Sequence, residues 1–207
     1  MYIPENYKNE NQEEIKSFLK ANAFGILVTN KDGKSLATHI PLEFSEKEDG
    51  AAVLHGHISK ANAQCDHLES NTEVLCIFNG PNSYVSSSWY DFEEVSTWNY
   101  VAVHVRGTLN ILDQDALYQS LKSLMGKYEE GQENPVDIDT LSPKTMTQIH
   151  GIIGFEITIN RMEAAYKLSQ NRDDKNHNTI IKKLKETGNS GSIAIAEEMD
   201  KNRKPTS

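Results

Sequence analysis

Apolar and polar residues alternate along much of the first half of the chain, which is the pattern of half-buried β-strands. Turn residues separate the alternating runs, and the pair Asp32-Gly33 predicts a tight hairpin between the first two of them. The predicted strands are FGILVTN, KSLATHIPLEF, AAVLHGHIS, TEVLCIFNG, NSYVSSSWY, TWNYVAVHVRGTLNIL and, later in the chain, GIIGFEITI.

The alternation is clearest in the segment STWNYVAVHVRG, from Ser96 to Gly107. Because successive side chains of a strand point to opposite faces, Asn99 and three valines share one face, which we expect to fill the core. The opposite face carries Trp98, Tyr100, Ala102, His104 and Arg106.

Four segments change to a helical period and predict helices. NQEEIKSFLKAN offers Asn11 as its N-cap, and DQDALYQSLKSLMGKYEEG offers Asp113. DDKNHNTIIKKLKET and SIAIAEEMDKNRK, joined by GNSG, come at the end. Because no regular βαβ alternation exists, the pattern favours a mostly-β protein, a small barrel with peripheral helices. Side chains fill the interior of such a barrel, so we expect a ligand at its rim or between subunits.

Composition narrows the possible partners. The chain of 207 residues carries a formal net charge of -9, which repels phosphate backbones and makes direct DNA binding doubtful without a local basic patch. Its two cysteines are too few for a disulfide scaffold. No apolar run approaches the ~20 residues that span a bilayer, and the first residues lack the pattern of a secretion signal. We therefore expect a soluble, cytoplasmic protein without a membrane segment.

The segment GHISKAN is the strongest candidate for chemistry. Lys60 supplies a positive charge after an apolar strand, while Ser59 and Asn62 supply directional hydrogen bonds, a combination suited to a phosphate. The alternative is an ordinary polar strand end. His55 and His57 share a strand face and could bind a metal, although no acidic residue lies near them in sequence.

Two further segments have two interpretations each. In LATHIPL, Pro41 cannot donate to a ladder, so the strand is an edge or has a bulge. The backbone beside Thr38 and His39 could then contact a flat heterocycle, or the proline could simply protect the edge. The polar segment YKLSQNR is typical of a solvated loop, but over a ligand it could present many donors. The motifs GxSxG, GxGxxG and the Walker loop are absent.

Seven motifs in order, MYIP, ATHIPL, GHISKAN, SSSWY, TWNYVAVHVRG, GIIGFEI and KLSQNR, resemble the PaiB-like family of FMN-binding split-barrel proteins, which are regarded as negative transcriptional regulators. The resemblance implies a six-stranded split barrel that forms a homodimer, related to pyridoxamine-phosphate oxidases and flavin reductases, with FMN at the subunit interface. It extends from Met1 to about Arg172, so we expect an FMN-binding domain over residues 1–172. Residues 173–207 would form a helical extension of the same domain.

The resemblance also implies which residues bind FMN. The segment after the third strand would hold the phosphate, the preceding strand would flank the isoalloxazine ring, and TWNY and KLSQNR would come from the partner subunit. The resulting candidates are Thr38, His39, Ile40, Pro41, His57, Ser59, Lys60, Asn62, Asn99, Lys167, Ser169, Gln170 and Asn171.

The outward face of the valine strand fits this dimer. A monomer seldom exposes so much aromatic surface, and aromatic residues and arginine are enriched in interfaces. We therefore expect Trp98, Tyr100, His104 and Arg106 in the dimer interface.

Three functions remain open. The first is an FMN-binding negative transcriptional regulator. The two helices at the end of the chain are its only helix–turn–helix candidate, and the second of them is acidic, which is unfavourable for DNA recognition. The second is a flavin-dependent oxidoreductase of the split-barrel flavin reductase type, although no base or nucleophile stands out beyond His39 and His104. The third is a haem-handling protein.

Overall fold

The computed structural model describes residues 1–203, in which it places eight β-strands and five α-helices. The strands are β1 (Lys8–Asn9), β2 (Phe24–Lys31), β3 (Lys34–Pro41), β4 (Glu43–Glu46), β5 (Ala52–Ser59), β6 (Thr72–Val85), β7 (Thr97–Ile111) and β8 (Ile152–Lys167). The helices are α1 (Gln12–Ala21), α2 (Gln114–Glu129), α3 (Pro143–Met146), α4 (Asp174–Glu186) and α5 (Ser190–Lys201). None of the helices within residues 1–203 is long and apolar enough to cross a membrane.

One compact unit, Leu19–Phe78 with Val105–Met162, contains β2 to β5 entirely and parts of β6, β7 and β8, and is called the barrel unit below. Neighbouring strands follow the order β3-β2-β6-β7-β8-β5-β4, and β3 joins β4 through the single residue Leu42. The two ends of the sheet therefore meet at Leu42, whose side chain is buried, and the sheet closes into a barrel. With β3 and β4 counted as one bent strand, the barrel has the six strands that the resemblance implies.

The interior of the barrel is apolar, as the alternation predicts. Its largest fully buried side chains include Leu27, Leu54, Phe78, Leu109, Phe155 and Ile157. Gly107 on β7 permits a close approach of β8, because a Cβ atom at this position would lie 2.4 Å from the carbonyl oxygen of Thr158. The hairpin between β2 and β3 turns at Asp32 and Gly33, which both have positive φ, as predicted.

Of the described residues, the other unit comprises Met1–Phe18, Asn79–His104 and residues 163–203. Here β1 pairs antiparallel with the end of β8. Helix α5 packs on α4, and its Ser192 hydroxyl lies 2.8 Å from that of Ser83. Both predicted C-terminal helices are confirmed, although Lys204, the last residue of the second predicted segment, lies outside the described residues. The proposed domain boundary after residue 172 stays a prediction.

Two predicted strand boundaries are wrong. The runs TEVLCIFNG and NSYVSSSWY, which we expected as two strands, form the single strand β6, and residues Ser87–Trp89 form a 3-10 turn instead. The strand predicted at GIIGFEITI continues to Lys167, through residues in which the sequence shows no clear period.

His177 on α4 provides a prediction about pH. Its side chain is buried, and its Nδ1 atom has no hydrogen-bond partner within residues 1–203. Burial lowers the pKa of this imidazole, as does Arg203, while Asp200 and Asp174 oppose the change. In the unfolded chain this imidazole binds a proton near pH ~6.5, its ordinary pKa, whereas in the folded chain it binds one only at lower pH.

We therefore expect the free energy of unfolding to fall as the pH drops below about 6.5, by at most about 1.4 kcal/mol per pH unit from this group. Urea unfolding between pH 7.5 and 5.5 measures the slope. His177→Leu should show a shallower slope than the wild type, and the exposed control His150→Asn should not. Equal slopes for His177→Leu and the wild type would contradict the assignment.

Candidate functional site

The end of β5 forms a tight turn with a free cationic side chain. The Asn62 amide donates to the carbonyl oxygen of Ser59 at 2.9 Å, and the Lys60 amide donates to that of Gly151 at 2.9 Å. The Ser59 hydroxyl accepts a hydrogen bond from the Ala61 amide at 3.2 Å, so its own proton remains available. Ser59 and Lys60 are both exposed.

The ammonium of Lys60 forms no ion pair with the described residues, although Asp113 and Asp115 line the same cavity. Within residues 1–203, no carboxylate lies at ion-pair distance from its ammonium group. A hydroxyl donor and a free ammonium on one turn are the donors that a phosphate requires. This part of the predicted site therefore fits the phosphate of FMN.

Asn62 connects this turn to the ring-flanking strand. Its Nδ2 atom donates to the Thr38 hydroxyl at 3.0 Å, and its Oδ1 atom accepts from the Gln64 amide at 2.8 Å. The structure thus brings together β3 and the β5 turn, two predicted parts of one site that are 24 residues apart in sequence. Asn62 has a clear structural role, and its second amide proton remains for a ligand.

The residues of β3 that were predicted to contact the flavin ring point alternately to solvent and to the barrel interior. It pairs with β2 and stands at an end of the strand order, as predicted from Pro41. His39 is exposed, whereas the side chain of Ile40 is buried in the barrel. Ile40 can therefore offer a ligand only its main chain, and Thr38 and Pro41 are half-buried.

Phe24 is a candidate that the sequence analysis missed. Its ring stacks on His39 with 6.3 Å between centroids and 28° between planes. With 68% of its surface exposed, it is the most exposed large apolar side chain of the barrel unit. The only sign of this exposed ring pair in the sequence was a single aromatic residue at the start of β2, the strand that pairs with β3.

His57 lies on β5 facing a cavity rather than the turn. It is half-buried, and burial lowers the pKa of its imidazole. It lines a cavity of about 580 Å³ together with Pro41 and side chains of α2. Lys60 lines a different cavity of about 580 Å³, with the start of α2 and residues 143–154.

The candidates expected from the partner subunit are largely engaged within their own chain. Asn99 is fully buried, and its Nδ2 atom donates to the Ser169 hydroxyl at 3.0 Å, which returns a hydrogen bond at 3.2 Å. Ser169 has a φ of +57°, in the left-handed region. Gln170 bonds the Tyr166 carbonyl and the Leu168 amide.

The remaining candidates of this segment are more accessible. Lys167 donates to the Thr97 hydroxyl, and its ammonium lies 5.8 Å from the centre of the Tyr7 ring. Burial, followed by Arg172, lowers the pKa of Lys167. Asn171 is exposed and lines a polar cavity of about 840 Å³. Contact of this segment with a ligand stays a prediction. Lys167 and Asn171 are more accessible to a ligand than the buried Asn99 and Ser169.

The residues predicted for a dimer interface alternate along β7 as expected. Trp98 is 51% exposed and meets Tyr84, itself 48% exposed, edge to face at 6.0 Å. Tyr100 and His104 are half-buried, and Arg106 is exposed, with Glu73 at 3.6 Å. On the opposite face, Asn99, Val101, Val103 and Val105 are all buried.

Comparison with known proteins identifies the family. Residues 1–161 match the family described as "Putative FMN-binding domain". The chain is 43% identical over 201 residues to "Protease synthase and sporulation protein PAI 2" of Bacillus subtilis, with 97% of each chain covered. It is also 34% identical over 112 residues to the uncharacterized protein YKL070W of Saccharomyces cerevisiae, covering 49% of this chain and 66% of that one.

Solved structures agree on the fold. The FAD and heme binding protein of Mycobacterium smegmatis superposes with a TM-score of 0.60 at 16% identity, over 78% of this chain and 73% of that one. The flavocytochrome Anf3 of Azotobacter vinelandii superposes with a TM-score of 0.58 at 16% identity, over 83% and 75%. The resemblance found in the motifs is thereby confirmed: the chain belongs to the PaiB-like family of FMN-binding domains, and FMN is its cofactor.

Proposed function

We propose that the protein is a homodimeric FMN-binding regulator that acts as a negative regulator of transcription. The main support for the proposed FMN site is the ammonium of Lys60, which forms no ion pair within residues 1–203 and lies beside the exposed Ser59 hydroxyl. The regulatory part is supported by the relative named for protease synthesis and sporulation, which covers 97% of the chain.

In this proposal, Lys60 and Ser59 hold the phosphate of FMN, with Asn62 and His57 nearby. The isoalloxazine ring lies along the main chain of Thr38–Pro41. The exposed pair of His39 and Phe24 offers it an aromatic surface. Bound FMN supplies reversible redox chemistry, and the chain's own residues bind and orient it. The accessible members of the partner segment, Lys167 and Asn171, would complete the site from the second subunit, beside Asn99, Ser169 and Gln170.

Direct contact of the C-terminal helices with DNA is not favoured by their charges. Each lysine of α4 has a carboxylate partner: Lys175 with Asp91 at 2.5 Å, Lys182 with Glu186 at 3.9 Å, Lys183 with Glu186 at 2.8 Å, and Lys185 with Asp200 at 2.9 Å. These carboxylates lower the positive potential of α4, which weakens its attraction for DNA phosphates. We therefore propose that regulation passes through a protein partner or the redox state of the flavin.

The test combines a spectrum with a binding assay. We expect purified protein to bind FMN with one flavin per subunit, and to give no shift of its own upstream DNA at low salt, with or without FMN. Absence of flavin binding would overturn the proposal. A DNA shift would overturn the indirect route, and rapid flavin reduction by NADH or NADPH would favour a flavin reductase instead.

A further inference from the structure

A cavity of about 580 Å³ lies between strands β4 and β5 and helix α2, within the barrel unit. The wall formed by α2 includes Ala116, Ser120 and Ser123, which repeat at helical spacing and are too small to fill the space next to the strands. The apolar part of the lining consists of Pro41, Phe44, Leu112 and Leu124. A volume of this size suits a small organic molecule.

The carboxylates that line this cavity are already compensated. Glu43 lies 2.6 Å from the ammonium of Lys127, which also donates to the carbonyl oxygen of Lys20 at 3.2 Å. Glu156 lies 2.6 Å from the ammonium of Lys47 and 3.2 Å from Nε2 of His55. Neither carboxylate is therefore available to balance a cationic ligand without losing its present partner.

Lys20 carries a positive charge that no ion pair of the described residues balances. Its ammonium lies 5.6 Å from the centre of the Phe44 ring, and no carboxylate of residues 1–203 is within ion-pair distance of it. His57 adds no charge at neutral pH, because burial lowers the pKa of its imidazole. The lining thus combines apolar surface with one unbalanced cation at its edge.

We propose that this cavity binds a small organic monoanion, with its carboxylate at Lys20 and an apolar, aromatic or aliphatic body against Phe44 and Leu124. The hydroxyl groups of Ser120 and Ser123 are within the same wall and can bond further polar atoms of the ligand. Because His57 and Pro41 also line the cavity, the ligand would lie next to the proposed flavin site without depending on it.

The test uses three probes of one shape and different charge: 2-naphthoate, 2-naphthamide and 2-naphthylmethylamine. Calorimetry on the full chain should show naphthoate binding roughly tenfold or more tightly than naphthamide, the gain expected from a charge-assisted hydrogen bond. The amine should bind most weakly. Lys20→Met should remove the preference for naphthoate but leave naphthamide binding, whereas Ser120→Leu, which fills the cavity, should weaken both. Lys34→Met, an exposed lysine on β3, is the matched control.

Each contrary result is distinct from a failure of the proposed function. Equal binding of the three probes, no binding at all, or a preference that survives Lys20→Met would overturn the monoanion site. Displacement of naphthoate by FMN would show that the flavin itself fills the cavity, which also overturns it. Protein that binds naphthoate but ignores FMN would overturn only the flavin site.

Discussion

Replacing Lys60 by methionine is expected to weaken FMN binding about 30-fold, because the phosphate loses a charge-assisted hydrogen bond of roughly 2 kcal/mol. Methionine keeps most of the length of the lysine side chain, so the effect reports the charge. Ser59→Ala should cost less, about fivefold, because a neutral hydroxyl contributes a weaker hydrogen bond. Quenching of flavin fluorescence during titration measures both dissociation constants.

Riboflavin, which lacks the phosphate, provides the control ligand for this prediction. Lys60→Met should leave riboflavin affinity unchanged, so the ratio of FMN to riboflavin affinity should fall with it. The control variant is Lys34→Met, whose side chain lies four residues from Thr38 along β3, about 13 Å in an extended strand. An FMN affinity within threefold of the wild type would show that the phosphate binds elsewhere.

The strands and helices could be predicted where local pattern and local packing agree. The hairpin at Asp32-Gly33 and the N-cap at Asp113 follow from residues that are adjacent in sequence, and both are observed. The false break in β6 shows where the local pattern and the packing disagree. Gly80 and Pro81 are typical of a turn, but the strand continues, and a Cβ atom at Gly80 would lie 2.7 Å from the Phe18 ring.

The candidate site could be predicted as a set of residue types but not as a geometry. The sequence identifies Lys60 and Ser59 as phosphate donors, and the structure leaves both exposed. The family resemblance implied Asn99 and Ser169 as further FMN-binding residues, whereas the alternation along β7 placed Asn99 on the core face, where it is found. Its hydrogen bond to Ser169, 70 residues away, could not be predicted from any local pattern. The cavity beside α2 was not predictable either, because it depends on which face of the helix meets the strands.

The second large effect concerns assembly. Replacing Trp98 and Tyr100 together by serine is expected to convert the proposed dimer into monomers, because large aromatic side chains at the centre of an interface contribute about 2 kcal/mol or more each. A combined loss of about 4 kcal/mol weakens dimerisation by roughly 1,000-fold. The fold should tolerate the change at Trp98, which is half exposed and whose Nε1 atom donates to the surface residue Asn82 at 3.1 Å. Tyr100 is half-buried, so a circular dichroism spectrum is needed to check that the double variant folds. Light scattering at micromolar protein measures the mass.

Tyr2→Ser is the matched control, because Tyr2 is an aromatic residue that is 87% exposed but lies outside β7. It should leave the dimer intact.

If FMN binds between subunits, the double variant should also lose FMN affinity in proportion to its loss of dimer, and high protein concentration should restore both together. A monomeric variant with unchanged FMN affinity would place the whole flavin site within one chain, since Lys60, Ser59 and Thr38 would then suffice without Lys167 or Asn171 of a second subunit. A double variant that remains dimeric would show that β7 does not form the interface. The exposed aromatic pair of Trp98 and Tyr84 would then require another partner.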